Sequence, residues 1–138
     1  MPRRCPLTAI AFVRRFKRCK IIYVEWRRGI HQHPELGFKE WLTADFIAAQ
    51  LTAWGIDHQV KMAETGVVAV IEGTRPGPVL GIRADMDALP IQEANAVPYR
   101  SQHDGVMPAC GHDDHVAIAL GTAHYLAHHH PQFFLDPP

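Results

Sequence analysis

Apolar positions along the chain follow two different periods. From Trp41 to Trp54 they recur at Ala44, Ile47, Ala48, Leu51 and Trp54, the spacing of one helix face. Gly55 follows as a C-terminal stop. Val116 to His130 repeats the pattern through Val116, Ala119, Leu120, Ala123, Leu126 and Ala127, and Pro131 ends it. Between these two helices the period disappears and continuous apolar runs replace it. Ile56–Lys61 reads as a short strand. Gly66–Gly73 and Val79–Ala84 read as strands apolar on both faces, separated by the turn residues Thr74-Arg75-Pro76-Gly77-Pro78. Strands apolar on both faces, set between helices, predict an α/β fold with helices packed on a largely buried mixed sheet. Leu89 to Ala109 carries Pro90, Pro98, Gly105 and Pro108. At roughly 20 residues it is too long for a plain connector and marks a site-building loop.

Composition narrows the classes. A chain of 138 residues with 47% hydrophobic and 20% charged residues is neither collagen-like, low-complexity nor wholly disordered, and its length suits one domain. Three cysteines are too few, and odd in number, for a disulfide scaffold. They read as reduced thiols, one of them a candidate ligand, which points to the cytoplasm. The net charge of zero hides an asymmetry. Residues 1–28 hold nine of the 14 basic residues and only Glu25 as an acid, leaving five basic against 13 acidic residues in the remainder. This basic head carries no nucleic-acid-reading module, so no nucleic-acid partner is expected. A transit peptide is the alternative to a frayed or helical extension, although the head lacks serine. No apolar run approaches the roughly 20 residues that span a membrane.

Two segments carry chemistry. The first is Arg83-Ala84-Asp85-Met86-Asp87-Ala88-Leu89-Pro90. Carboxylates at the end of an apolar strand need partners or a metal, and ligands in open α/β sheets gather at such strand ends. The competing reading makes one aspartate a turn cap and pairs the other with Arg83. The second segment is Ala109-Cys110-Gly111-His112-Asp113-Asp114-His115. Thiolate and imidazole both ligate zinc and its neighbours. Gly111 lets Cys110 and His112 face one ion, and Asp113 and Asp114 suit the first turn of a helix. The bland reading is a buried cysteine beside a capping aspartate.

These stretches, with Arg27 to Phe38 (RRGIHQHPELGF), Trp54-Gly55-Ile56, Thr65-Gly66-Val67-Val68 and the Gly81 to Asn95 run (GIRADMDALPIQEAN), lie in one order. Together they resemble the metal-dependent amidohydrolase branch of the aminoacylase and carboxypeptidase-like metallopeptidases. That branch holds hippurate hydrolases, N-acyl-amino-acid amidohydrolases and auxin-conjugate hydrolases. The resemblance implies a zinc-exopeptidase-like α/β domain with two divalent ions, manganese or zinc, that hydrolyses the amide bond of a small N-acyl amino acid. It implies Cys110 and His112 as metal ligands, Asp87 as a supporting carboxylate and Asp85 as a site neighbour. It marks residues 27–138 as the N-terminal part of a catalytic domain and residues 1–26 as a basic extension outside the family pattern. His31-Gln32-His33-Pro34-Glu35 looks like a family marker and is assigned no metal ligand.

The chain also departs from that pattern. The family's general-base glutamate lies beyond the Cys-Gly-His motif, yet here no glutamate follows Glu93. Asp114 stands where the family usually has glycine. The later metal ligands and the dimerisation domain have no counterpart. The expectation is therefore a chain that is inactive alone. Its alternatives are a non-catalytic truncated product, a homo-oligomer, or one half of a split protein needing a complementing C-terminal chain.

Overall fold

The computed structural model describes residues 22–73 and 76–129. The basic head up to residue 21, the Thr74-Arg75 turn, His130 and Pro131 lie outside the described residues. Helix α1 covers residues 22–32. It is followed by α2 (Trp41–Ala53), β1 (His58–Met62), β2 (Gly66–Ala69) and α3 (His112–His129). α1 runs through positions 26 and 27 without a break.

The ends of α2 are closed by identifiable groups. Its N-cap residue Glu40 makes no side-chain cap bond. Glu35 supplies the cap instead, accepting from the backbone N–H of Leu42 (3.0 Å) and Thr43 (2.9 Å) and from the Thr43 hydroxyl (3.0 Å). Two of the orphan N–H groups of the first turn are thereby satisfied. The C-terminus ends in a Schellman motif. Gly55, at φ 67°, donates to the Thr52 carbonyl, and Ile56 donates to that of Leu51. Leu51 and Ile56 are both buried.

The core lies between the helices. Ile30 of α1 packs with Val116 and Leu120 of α3, and Trp26, Phe46, Ile47, Trp54 and Met86 close around them. The inward face of α3 is Asp113, Val116, Ala117, Leu120 and Gly121, the i, i+3, i+4, i+7, i+8 stripe of a helix that buries one side. Gly121 is required there. A Cβ at this position would stand 3.1 Å from the Tyr23 ring of α1, so the two helices approach through a residue without a side chain. Thr65 donates to Glu40 at 2.6 Å, and both are buried, tying the hairpin turn to the start of α2.

The α/β class holds, but the sheet differs from the expected one. β1 and β2 form a two-stranded antiparallel ribbon in the register His58–Ala69 and Gln59–Val68, with an irregularity before Met62–Gly66. Most of its residues are half-buried or exposed, so it is not a largely buried mixed sheet. The strand expected over Gly66–Gly73 stops at Ala69, and Val79–Ala84 is not a strand. Val79 and Leu80 are 97% and 83% exposed. Apolar patterning states what a segment is fit to bury. It does not supply the neighbouring backbone that a strand must pair with, and among the described residues none pairs with 79–84. α3 also starts at His112, four residues ahead of the expected Val116, because Asp113 and Asp114 favour its first turn.

Leu120 is 3% exposed at the centre of this packing. Leu120→Ala is expected to lower unfolding free energy by about 2–5 kcal/mol, measured as a shift of the urea midpoint at constant m-value.

Candidate metal centre

The start of α3 and the end of the apolar run at Ala84 meet. Asp85, His112 and His115 each present one ligand atom, and the three atoms lie within 4.8 Å of one another. His112 and His115 are three apart on one helix face, with ring centroids 5.3 Å apart. The turn into α3 is made by Gly111 at φ 80°, whose carbonyl accepts from Asp114 and His115.

His112 is oriented from behind. Its Nδ1 lies 2.9 Å from the Asp87 carbonyl oxygen and 3.0 Å from Asp87 Oδ1. A carbonyl only accepts, so Nδ1 carries a proton, and in the neutral ring Nε2 then keeps its lone pair. That is the state in which imidazole binds a metal, with the other nitrogen bonded to a carbonyl or carboxylate. Asp85 pairs with Arg83 at 2.6 Å. Arg83 is 88% exposed, and such a surface pair contributes little, so it does not withhold the carboxylate from a cation. One carboxylate and two imidazoles are the donor types, and three the number, of a catalytic zinc-like site with an open position. Cys110 is a free, exposed thiol two residues before His112 and is not among the three converging donors.

Behind this cluster lies a buried ionic network. Asp113 is 1% exposed. Its Oδ2 accepts from His31 Nδ1 at 2.7 Å and lies 2.7 Å from Arg27 Nε. The arginine contact is an ion pair without hydrogen-bond alignment, and Asp113 Oδ1 has no hydrogen-bond partner. His31 Nε2 faces Glu93 Oε1 at 3.2 Å. Glu93 in turn accepts from the Ser101 N–H at 2.6 Å and from Asn95 Nδ2 at 3.3 Å. Tyr99 covers the cluster. The guanidinium groups of Arg27 and Arg28 stand 5.0 and 4.8 Å from its ring centroid, and the His31 ring meets it edge-on. Burial pushes the Glu93 carboxyl up. The Ser101 N–H and the His31 and Asn95 donors outweigh that and hold it below its ordinary value.

The sequence profile of peptidase family M20/M25/M40 matches residues 81–137. The chain is 47% identical over 109 residues to N-acetyldiaminopimelate deacetylase of Anoxybacillus flavithermus, covering 78% of this chain and 29% of that protein. It is 50% identical over 100 residues to N-acyl-L-amino acid amidohydrolase of Geobacillus stearothermophilus, covering 72% and 27%. It superimposes on a dinuclear metal binding peptidase from the M20 family of Bacillus subtilis with a TM-score of 0.78 at 44% identity, covering 83% of this chain and 32% of that one. The chain belongs to the M20 peptidase family. It spans less than a third of the length of the relatives it matches.

Of the residues singled out from the sequence, the M20 fold brings Asp85, Asp87 and His112 together. His115 was passed over as a donor, although its three-residue spacing from His112 at a helix start was a usable signal. His31 and Glu93 gave no comparable signal, because their partners are 82 and 62 residues from His31 in the chain.

Because the folded pKa of Glu93 lies below the ordinary 4.5, its ionised form stabilises the fold above that pH, and the contribution is lost as pH falls through the lower folded value. Glu93→Gln is therefore expected to melt earlier than wild type at neutral pH. The gap should narrow below about pH 4.5 in parallel thermal melts across pH.

Proposed function

We propose that this chain contributes the Asp85, His112 and His115 corner of a metal-dependent hydrolase that cleaves the amide bond of small N-acyl amino acids. The convergence of these three donors within 4.8 Å, in a chain about half identical to an N-acyl-L-amino acid amidohydrolase, supports this reading. In it His112 ligates through Nε2, held by Asp87 as a supporting carboxylate. Cys110 joins as a further ligand by rotation of its exposed side chain, and the metals are manganese or zinc. A divalent ion in such a site supplies Lewis acidity to an amide carbonyl. The chain's own part is to fix donor geometry. Such hydrolysis also needs a proton acceptor beside the metal-bound water. A free Cys110 suits a cytoplasmic setting.

A second reading is favoured by the exposed apolar run at Val79, Leu80 and Ile82. In it the chain acts with a complementing chain that supplies the missing backbone neighbour and the base, and is non-catalytic without it.

Calorimetric titration with Mn²⁺ and with Zn²⁺ tests the metal assignment. His112→Ala is expected to lower affinity at least about tenfold, and Cys110→Ser to lower it as well. Affinity unchanged in both variants would remove the metal reading.

A further inference from the structure

The donors Asp85 and His112 are 27 residues apart in the chain, and their segments meet directly through His112 and Asp87. The Asp85–Asp87 stretch lies outside regular structure, while His112 and His115 sit in the first turn of α3. A second link runs through α1 and the turn after it. His31 reaches Asp113, the neighbour of His112, with one ring nitrogen and Glu93 with the other. Four residues on, the Glu35 carbonyl accepts from the Ala88 N–H at 2.8 Å, and Leu36 bridges Ala88. Gln32 accepts from the Gln102 N–H of the same long loop.

We propose that His31 is a positioning residue that clamps the His112–His115 turn of α3 against the loop that follows Asp85 and Asp87. It lies 4% exposed, and both its nitrogens face carboxylate oxygens, so a doubly protonated ring satisfies both. With Arg27, Asp113 and Glu93 it forms one buried polar cluster that joins α1, α3 and the long loop. An apolar side chain of similar shape would fill the space but leave Asp113 and Glu93 buried with no common tie. The His112–Asp87 bond, which sets the tautomer of the ligand, would lose its fixed spacing.

The inference rests on the metal reading only for its consequence, and the test separates the two. In the metal-free 138-residue chain, the ring ¹⁵N signals of His112 are expected to report one fixed tautomer, with the proton on Nδ1. His31→Phe, and more mildly Glu93→Gln, are expected to convert this pattern to tautomer averaging. Leu120→Ala, a destabilised core control two turns further along α3, should leave it intact. In titrations with Zn²⁺ and Mn²⁺, His31→Phe is expected to weaken binding about ten- to a hundredfold, beyond the loss in the Leu120→Ala control. If His31→Phe does not fold, Glu93→Gln carries the same comparison. A His112 pattern unchanged in the clamp variants, or lost equally in the control, overturns the positioning role even if metal binds through His112. If wild type binds neither ion while the His112 pattern still depends on His31, the metal reading fails and the positioning role stands.

Discussion

A carboxylate that is almost entirely removed from water organises this structure. Asp113 sits on the inward stripe of α3, one turn before Val116 and two before Leu120, where an uncompensated charge would cost several kcal/mol. The helix N-terminus offsets part of this. Arg27 and His31 of α1 offset more, both converging on the same oxygen. The contacts that bring Arg27 and His31 to Asp113 also seat Ile30 of α1 against Val116 and Leu120 of α3.

The same economy recurs along the His31–Leu36 segment. Glu35 uses its carboxylate to cap α2 and its carbonyl to hold Ala88, while His31 joins α3 to the long loop. The end of α1 and the turn after it thus join three elements and a loop. The family marker that the sequence offered without a role is a piece of framing. His31 is buried, and it and the half-buried Glu35 satisfy carboxylates and backbone amides of neighbouring elements.

Legibility in the sequence followed the range of the interactions. α2 was readable within one residue because its stripe, Gly55 stop and Schellman closure are all local. The apolar stripe alone placed the start of α3 at Val116, while the pair Asp113-Asp114 already pointed to an earlier first turn. The ribbon was half readable. Gly66 stood out as a strand start, and it has to be glycine, since a Cβ there would stand 2.5 Å from the Met62 carbonyl oxygen. The length of Gly66–Gly73 and the fate of Val79–Ala84 depend on a backbone partner, about which a one-dimensional pattern is silent. At the metal centre, Asp85, Asp87 and His112 announced themselves by residue type. The Arg27–His31–Glu93–Asp113 network did not, because each member is an ordinary surface residue type until the fold brings the others to it.

That network constrains how the sequence can drift. Replacing Asp113 leaves Arg27 and His31 without their shared acceptor, at about 3–5 kcal/mol when a buried pair is broken, a large part of a small domain's total stability. Replacing an oppositely charged pair together, with apolar residues of similar volume, is often close to neutral. Viable lineages would therefore change these positions in concert. The four numbers 27, 31, 93 and 113 form one heritable unit although they are scattered along the chain.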